Sequence, residues 1–413
     1  MRIRSGRRIL LAAVCAVAVA TIYVAQPVLA QIGRDLGVPE SEVGWIVAAG
    51  QVGYVVGLAV LVPLGDMRDR RRLIGMQLLL AAVGTLMAAL SPTWWMLLAG
   101  LAVTGLFAVV VQTTVAFAAD LSSPAERGRT LGTVTSGVIL GILGARVLAG
   151  VVADLWGWRS VYLGLTLLLV ALSLLVLRRL PANPRSHRET YRGVLTSLGR
   201  LFREPLFLSR GLIAFFLFAS FGTLWSGLAL PLSADPWQLT PAQIGAFGVA
   251  GLVGALGAMR AGRWADAGRA DLVTGVSLAL LAVSWIASAQ APWSLFLVFV
   301  GVIVLDFAVQ AAHVSNQSLL TAAYPRQTSS VIGGYMIFYS LGSALGATAT
   351  TAIYAVSGWS GSAVLGAAFA LGGLLTWVLS RRTVARARCD VRRIPPSART
   401  AGDTPPNAAP GER

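Results

Sequence analysis

Apolar residues in this chain come in runs of about twenty, parted by short segments where arginine, proline and tryptophan gather. A hydrocarbon layer about 30 Å thick is crossed by a helix of about that length. Runs that fit fall at 9–31, 43–64, 73–90, 93–118, 130–152, 160–177, 207–231, 242–261, 271–289, 292–317, 329–355 and 360–379. Backbone N–H and C=O groups find no water at membrane depth, so each run must bond internally as a helix. The pattern predicts an all-α membrane protein with twelve transmembrane helices.

Composition agrees. Of 413 residues, 56% are hydrophobic and only 12% charged, about half the charged share of a soluble domain. The net charge of +16 comes from 33 arginines and no lysine. In a soluble protein such a balance would suggest nucleic acid, but no nucleic-acid motif accompanies it. Its distribution marks topology instead, because basic residues stay on the cytoplasmic side. The N-terminus, every second loop and the C-terminal tail hold 29 arginines, whereas the intervening loops hold Arg34 and Arg159 alone. Trp94, Trp95, Trp156, Trp158, Trp237, Trp293 and Trp359 fall at the opposite ends of the helices, as an interfacial aromatic belt should. Both termini are therefore expected in the cytoplasm of a multi-pass plasma-membrane protein. Reading the first run as a cleaved signal, with Val17-Ala18-Val19-Ala20 as its small-residue stretch, would leave eleven helices and spoil the alternation. Cys15 and Cys389 are too few and too far apart for a disulfide framework or a zinc site.

An internal repeat organises the runs. A shift of 201 residues carries Gly44 onto Gly245, Gly50 onto Gly251, Pro124 onto Pro325 and Gly132 onto Gly333. It also carries Gly141 onto Gly342 and Gly157-Trp158 onto Gly358-Trp359; Asp66 meets Asp266 at 200, and Pro39 meets Pro241 at 202. Six helices separate the copies, so the halves have the same orientation about an axis along the membrane normal. The expected domains are a six-helix bundle over 1–177, a basic cytoplasmic linker over 178–205, a second bundle over 206–380 and a disordered tail over 381–413. The linker's end, with Leu195, Leu198, Leu201 and Phe202, is suited to lying at the interface.

The loop string Gly65-Asp66-Met67-Arg68-Asp69-Arg70-Arg71-Arg72 resembles the acidic-then-basic signature of the major facilitator superfamily, with Asp66 and Arg70 in the matching roles. Val62 stands where a glycine is usual, and Asp69 replaces a second one. The copy Gly262-Arg263-Trp264-Ala265-Asp266-Ala267-Gly268-Arg269 keeps the leading glycine. Tyr23-Val24-Ala25-Gln26-Pro27-Val28-Leu29 is similar to a Tyr-x-Ala-Gln-Pro-Leu-Leu segment of a bacterial efflux subgroup. The fifth helix resembles the family's antiporter signature only in part: Gly137 and Gly141 fit, whereas Ile142 and Arg146 replace a proline and a glycine. The resemblance implies that the first, fourth, seventh and tenth helices line a central cavity. It also implies that Asp66, Arg70, Asp266 and Arg269 act in gating, by clasping the halves or tethering helix ends.

Ionisable residues inside a membrane are rare and informative. Three lie well within the predicted spans: Arg146 on the fifth, Asp306 and His313 on the tenth. Asp306, Gln310, His313 and Gln317 fall within an arc of about 60°, a stripe about 16 Å long, with Asn316 at its edge. A stripe facing lipid would leave polar groups unsatisfied, so it faces protein or water. A carboxylate and an imidazole on one face can exchange protons, and a histidine titrates near pH 6.5 (about) when unperturbed. The same residues could instead form a buried zipper between helices. Arg146 keeps its charge and needs an anionic partner, carbonyl groups or an anionic substrate. Asp306 is the nearest membrane acid, at a depth that leaves direct pairing open. Further candidates for the substrate route are Tyr23, Gln26, Gln112, Trp225, Tyr335 and Tyr339. Gly137, Gly141, Gly144, Gly342 and Gly346 read as close helix contacts.

These residues suit a secondary active transporter, with proton-coupled efflux of a small organic molecule or drug by alternating access as the leading expectation. Proton-linked uptake and a transporter-like membrane sensor are the alternatives. Its partners would be a small-molecule substrate, protons and the lipid bilayer, with no nucleic acid, the chain acting as a monomer. No serine–histidine pair, metal cluster or acid dyad supports an enzyme. No cofactor is implied, and without lysine there is no nucleotide-binding glycine loop. Reporter fusions after residue 205 and at the C-terminus should both report cytoplasm; a periplasmic signal from either overturns the twelve-helix topology.

Overall fold

The computed structural model describes residues 5–61, 68–123, 126–182, 196, 199–324 and 327–393. Among them every regular element is helical. In chain order these are α1 (Ser5–Leu36), α2 (Trp45–Val60), α3 (Arg70–Ala89), α4 (Trp94–Leu121), α5 (Arg127–Trp156) and α6 (Trp158–Arg179). The second set is α7 (Pro205–Ser233), α8 (Pro241–Trp264), α9 (Ala270–Ser288), α10 (Leu295–Ala323) and the stretch Thr328–Arg393. That last stretch is two helices. Gly358 sits at φ 62° and ψ −160°, a left-handed backbone that only glycine adopts without strain, and it parts α11 (328–357) from α12 (359–393). Among the described residues ten helices are long and apolar enough to span by themselves. Splitting Thr328–Arg393 and counting the shorter apolar α2 gives the twelve expected.

The repeat is a repeat of local chemistry. Gly157, between α5 and α6, has φ 78° and matches Gly358. Thr93 caps α4 through the amide of Met96 at 3.4 Å, and its counterpart Ser294 caps α10 through Leu297 at 3.3 Å; such caps satisfy amides a helix start leaves free. Each half also breaks its first helix near the tryptophan-bearing end. In α1 the α-helix stops at Tyr23 and a 3₁₀ turn covers Gln26–Val28, because Pro27 removes an N–H and crowds the preceding turn. In α7 the break falls at Leu228, before Pro231.

The halves meet along α2 with α11 and α5 with α8. The approach is to backbone contact: a Cβ at Gly44 would collide with the carbonyl of Ala347, and one at Gly245 with the carbonyl of Arg146. The 201-residue shift carries the first contact onto the second, so it is one contact made twice about the pseudo-two-fold axis. A third contact near the tryptophan end sets Gly150 against Pro241. Towards the arginine-rich end Gly132 and Gly333 face open space, as does Gly144 near the middle of α5. Trp95, Trp156 and Trp293, with many leucines and valines, are exposed; on this protein that surface faces lipid.

Three expectations are adjusted. Gly144 is not a close-contact glycine, although Gly137, Gly141, Gly342 and Gly346 are, pressed on the backbones of Ala12, Ala16, Phe215 and Ala219. Leu201 is buried and Phe202 stacks on Phe338 at 5.5 Å between centroids, so the linker's end packs onto the second half; Leu195 and Leu198 lie outside the described residues. The last helix runs on to Arg393, into the segment 381–413 expected to be disordered, because nothing in 381–393 interrupts it with proline or glycine. Gly141→Val should destabilise the protein by about 1–3 kcal/mol through overpacking, whereas Gly144→Val, with no atom in reach, should melt within error of the parent in detergent.

Candidate functional site

The broken turn of α1 places Tyr23 and Gln26 in the interior between the halves, both almost fully buried. Arg146, 1% exposed, enters from α5 and donates from Nε to Gln26 Oε1 at 2.8 Å. Its guanidinium carbon lies over the indole of Trp225, 3.6 Å from the ring centroid, with the rings of Tyr23 and Phe221 at 5.3 and 5.4 Å. Such stacking stabilises a desolvated cation by about 2 kcal/mol. Nη1 and Nη2 of Arg146 find no hydrogen-bond partner.

Trp225 has a second contact. Its Nε1 donates to Oδ2 of Asp306 at 3.3 Å, so one indole touches the buried cation with its face and the buried carboxylate with its N–H edge. Among the described residues no ion pair joins Arg146 to Asp306, though the two charges attract. α8 makes the room. Its Gly248 and Gly251 turn flat backbone to this cluster: a Cβ at Gly251 would lie 3.2 Å from both Asp306 Oδ2 and Trp225 Cζ2, and one at Gly248 3.2 Å from Arg146 Cβ. A narrow crevice of about 10 Å³, room for one water, opens on Gln26, Pro27, Arg146, Trp225, Leu228, Ala229 and Ile244.

The stripe on α10 divides. Seven residues, about 10 Å of helix rise, separate Asp306 from His313, with half-buried Gln310 between. His313 Nδ1 meets Tyr335 Oη at 3.2 Å, and Gln317 Nε2 meets His313 Nε2 at 3.2 Å. Phe218 packs edge-on to His313 at 5.2 Å and against Tyr339 at 3.9 Å. The hydroxyls of Tyr339 and Tyr23 are hydrogen-bonded to each other across the halves. Gln112, the repeat counterpart of His313, donates to Tyr54 Oη at 3.3 Å on the first half's side.

Asn316 points elsewhere. One residue from Gln317 is a turn of about 100°, and its Oδ1 accepts from Arg210 Nη1 at 3.2 Å and Thr274 Oγ1 at 3.3 Å, fully buried between α7, α9 and α10. This network was missed from sequence. Arg210 Nη2 reaches Asp271 Oδ1 at 2.6 Å, and Trp377 Nε1 donates to the same oxygen at 3.2 Å. Arg210 lies three residues inside the span predicted at 207–231, where an arginine reads from the sequence alone as a charge flanking the helix. The signal available was an acid, Asp271, at the matching depth on the ninth.

In the signature loop Asp66 lies outside the described residues, as does the side chain of Asp266. Arg70 is buried and pairs with Asp120 at 2.8 Å, joining α3 to the end of α4 within one half; Asp69 caps α3 through the amide of Arg71 at 2.9 Å. Arg269 is exposed, beside Trp264 and Leu272 on the outer face.

Two six-helix halves with a buried charged cluster on their shared axis define a membrane carrier rather than an enzyme. A family model for the Major Facilitator Superfamily matches residues 9–233 and 212–400, and the chain belongs to that family. Transporter YgaY of Escherichia coli is 40% identical over 370 residues, covering 89% of this chain and 94% of its own. A Streptomyces coelicolor transporter is 31% identical over 381 residues, covering 90% and 87%. In fold the chain is similar to a bacterial homologue of the human lysosomal transporter Spinster, solved inward-facing and unoccupied, with TM-score 0.76, 16% identity and coverage of 93% and 98%. The chain is a multi-pass transporter.

Breaking one side of the Arg210–Asp271 pair should be costly. Arg210→Met, which leaves the part-buried carboxylate of Asp271 without its cation, should lose about 1.5–3 kcal/mol, and the double variant Arg210→Met/Asp271→Leu should recover part of it. Unfolding of the three proteins in detergent measures the difference.

Proposed function

We propose that the chain is a proton-coupled secondary carrier of a small organic molecule, working by alternating access as a monomer in the plasma membrane with both termini cytoplasmic. The observation that carries this reading is the buried cluster Asp306–Trp225–Arg146–Gln26, built from α10 and α7 of one half and α5 and α1 of the other. A rocking motion of the halves must remake it, so its protonation and occupancy bias the two states. Asp306 is the coupling acid, and His313, held by Tyr335 and Gln317, stands further along the route as a second proton site. Tyr23, Tyr339, Gln112, Gln310 and Gln317 line the path. The close glycine contacts at the tryptophan end and the open ones at the arginine end match a state closed to the outside. Arg70–Asp120 stiffens the inner end of the first half, and Asp66, Asp266 and Arg269 join it in gating.

The Tyr23-Val24-Ala25-Gln26-Pro27 resemblance favours efflux in exchange for protons, which requires solute and proton to compete for the Asp306 region. The free N–H groups of Arg146 favour a second reading, co-transport, in which solute and proton bind together. In proteoliposomes Asp306→Asn should still exchange solute between equal pools but lose uphill movement driven by a pH gradient, while His313→Gln keeps part of it. Asp306→Asn vesicles that concentrate solute to the parental ratio would rule out Asp306 as the coupling acid. A parent protein that binds solute yet never moves it would make this a sensor.

A further inference from the structure

The geometry points to an organic anion with a small apolar body as the solute, its carboxylate, sulfonate or phosphonate group docked on Nη1 and Nη2 of Arg146. The inference rests on the reading of the Asp306–Trp225–Arg146–Gln26 cluster as the transport site, and not on the direction of transport.

Arg146 is 1% exposed, and only Nε is engaged, by Gln26. One face of the guanidinium is covered by Trp225. What remains is the edge bearing Nη1 and Nη2, and neither nitrogen meets a protein acceptor. A buried guanidinium edge with its donors unmet is costly, and the fork it presents matches an oxyanion in two parallel hydrogen bonds. The crevice beside it supplies the rest. Its other walls are Pro27, Leu228, Ala229 and Ile244, all apolar; with room for one water in this state it must widen as the halves part, and a solute's body entering there meets hydrocarbon and no second charged group. The nearest acid does not line the crevice: Oδ2 of Asp306 lies at the edge of the indole and accepts its N–H. A cationic solute would meet the guanidinium first.

The same geometry fixes the sign of the coupling. The charged or titratable groups facing Asp306 are Arg146 from α5 and Tyr23 from α1, with the indole N–H of Trp225 from α7. An anion on Arg146 cancels the positive charge that steadies the Asp306 carboxylate and adds a like charge beside it. Protonation of Asp306 and anion binding therefore favour each other, so an anionic solute follows the co-transport reading and not proton exchange.

The test uses the full chain in detergent, with benzenesulfonate as probe because it stays charged at every pH used. Neutral benzenesulfonamide and benzyltrimethylammonium serve as controls of similar size. Benzenesulfonate should bind saturably by calorimetry and raise the melting temperature, while the neutral and cationic probes do neither. Arg146→Gln should weaken the binding about 10- to 100-fold, with Arg146→Lys in between. Affinity should rise as pH falls in the parent and lose that dependence in Asp306→Asn. Binding of the cation, equal binding of all three probes, or unchanged benzenesulfonate affinity in Arg146→Gln overturns the inference. So does failure of benzenesulfonate, benzoate and benzylphosphonate alike to bind the parent, which needs no variant to fold. Proteoliposomes separate the two claims: an anion bound at Arg146 but never exchanged sinks the carrier reading alone, and a solute driven by a pH gradient without anion binding sinks this inference alone.

Discussion

A guanidinium buried between two helical bundles must be stabilised where it sits, because arginine cannot discharge itself by losing a proton. Arg146 meets this constraint in parts that come from both halves: a glutamine from the broken turn of α1, an indole face from α7, and the field of a carboxylate from α10 at the N–H edge of that indole. Much of the surrounding structure follows from it. Pro27 breaks α1 where Gln26 must turn inward, and α8 turns glycine, not side chains, toward the cluster at 245, 248 and 251.

The two-fold repeat shows how such a site can be introduced into a symmetric scaffold. Where the second half has Asp306, the shift of 201 residues finds Gly105 in the first, pressed against the backbone of Gly50. Gly251 is the counterpart of Gly50, and it now leaves room for a carboxylate instead of a second glycine. Where the first half has Arg146, the second has Ala347, packed on Gly44. Each charge thus occupies a position where the other half has a small residue in a close helix contact. The scaffold keeps its crossings, since the glycine opposite each charge is retained, and the axis between the halves acquires one cation and one acid. The second half carries its own buried ion pair, Arg210–Asp271, well away from this axis, where it ties α7 to α9 and holds Asn316.

Holding cation and acid on one aromatic ring without direct contact has a dynamic consequence. A direct ion pair in a low-dielectric interior would be strong and would lock the halves. Held apart the two attract more weakly, and both groups keep bonding capacity that a proton or a solute can use. Trp225 is therefore the hinge of the electrostatics in the proposed cycle, touching both partners with opposite properties of one ring: its face takes the cation and its N–H takes the anion.

The sequence by itself determined the all-helical architecture, the twelve spans and the two-fold repeat, because membrane burial forces every backbone group into helices and makes run length and arginine placement readable. It also singled out Arg146, Asp306 and His313, since charge inside an apolar run stands out against its neighbours. Helix periodicity placed Asp306 and His313 on one face but could not say that they belong to separate clusters about 10 Å apart. Nor could it rank Trp225 above other tryptophans, distinguish Gly144 from Gly141, or see that Arg210 meets Asp271 and Asn316. Those facts depend on which side chains from distant helices share a point in space. A one-dimensional pattern fixes the face of each helix, while the crossing of helices decides what that face touches, and only the tertiary structure holds the second.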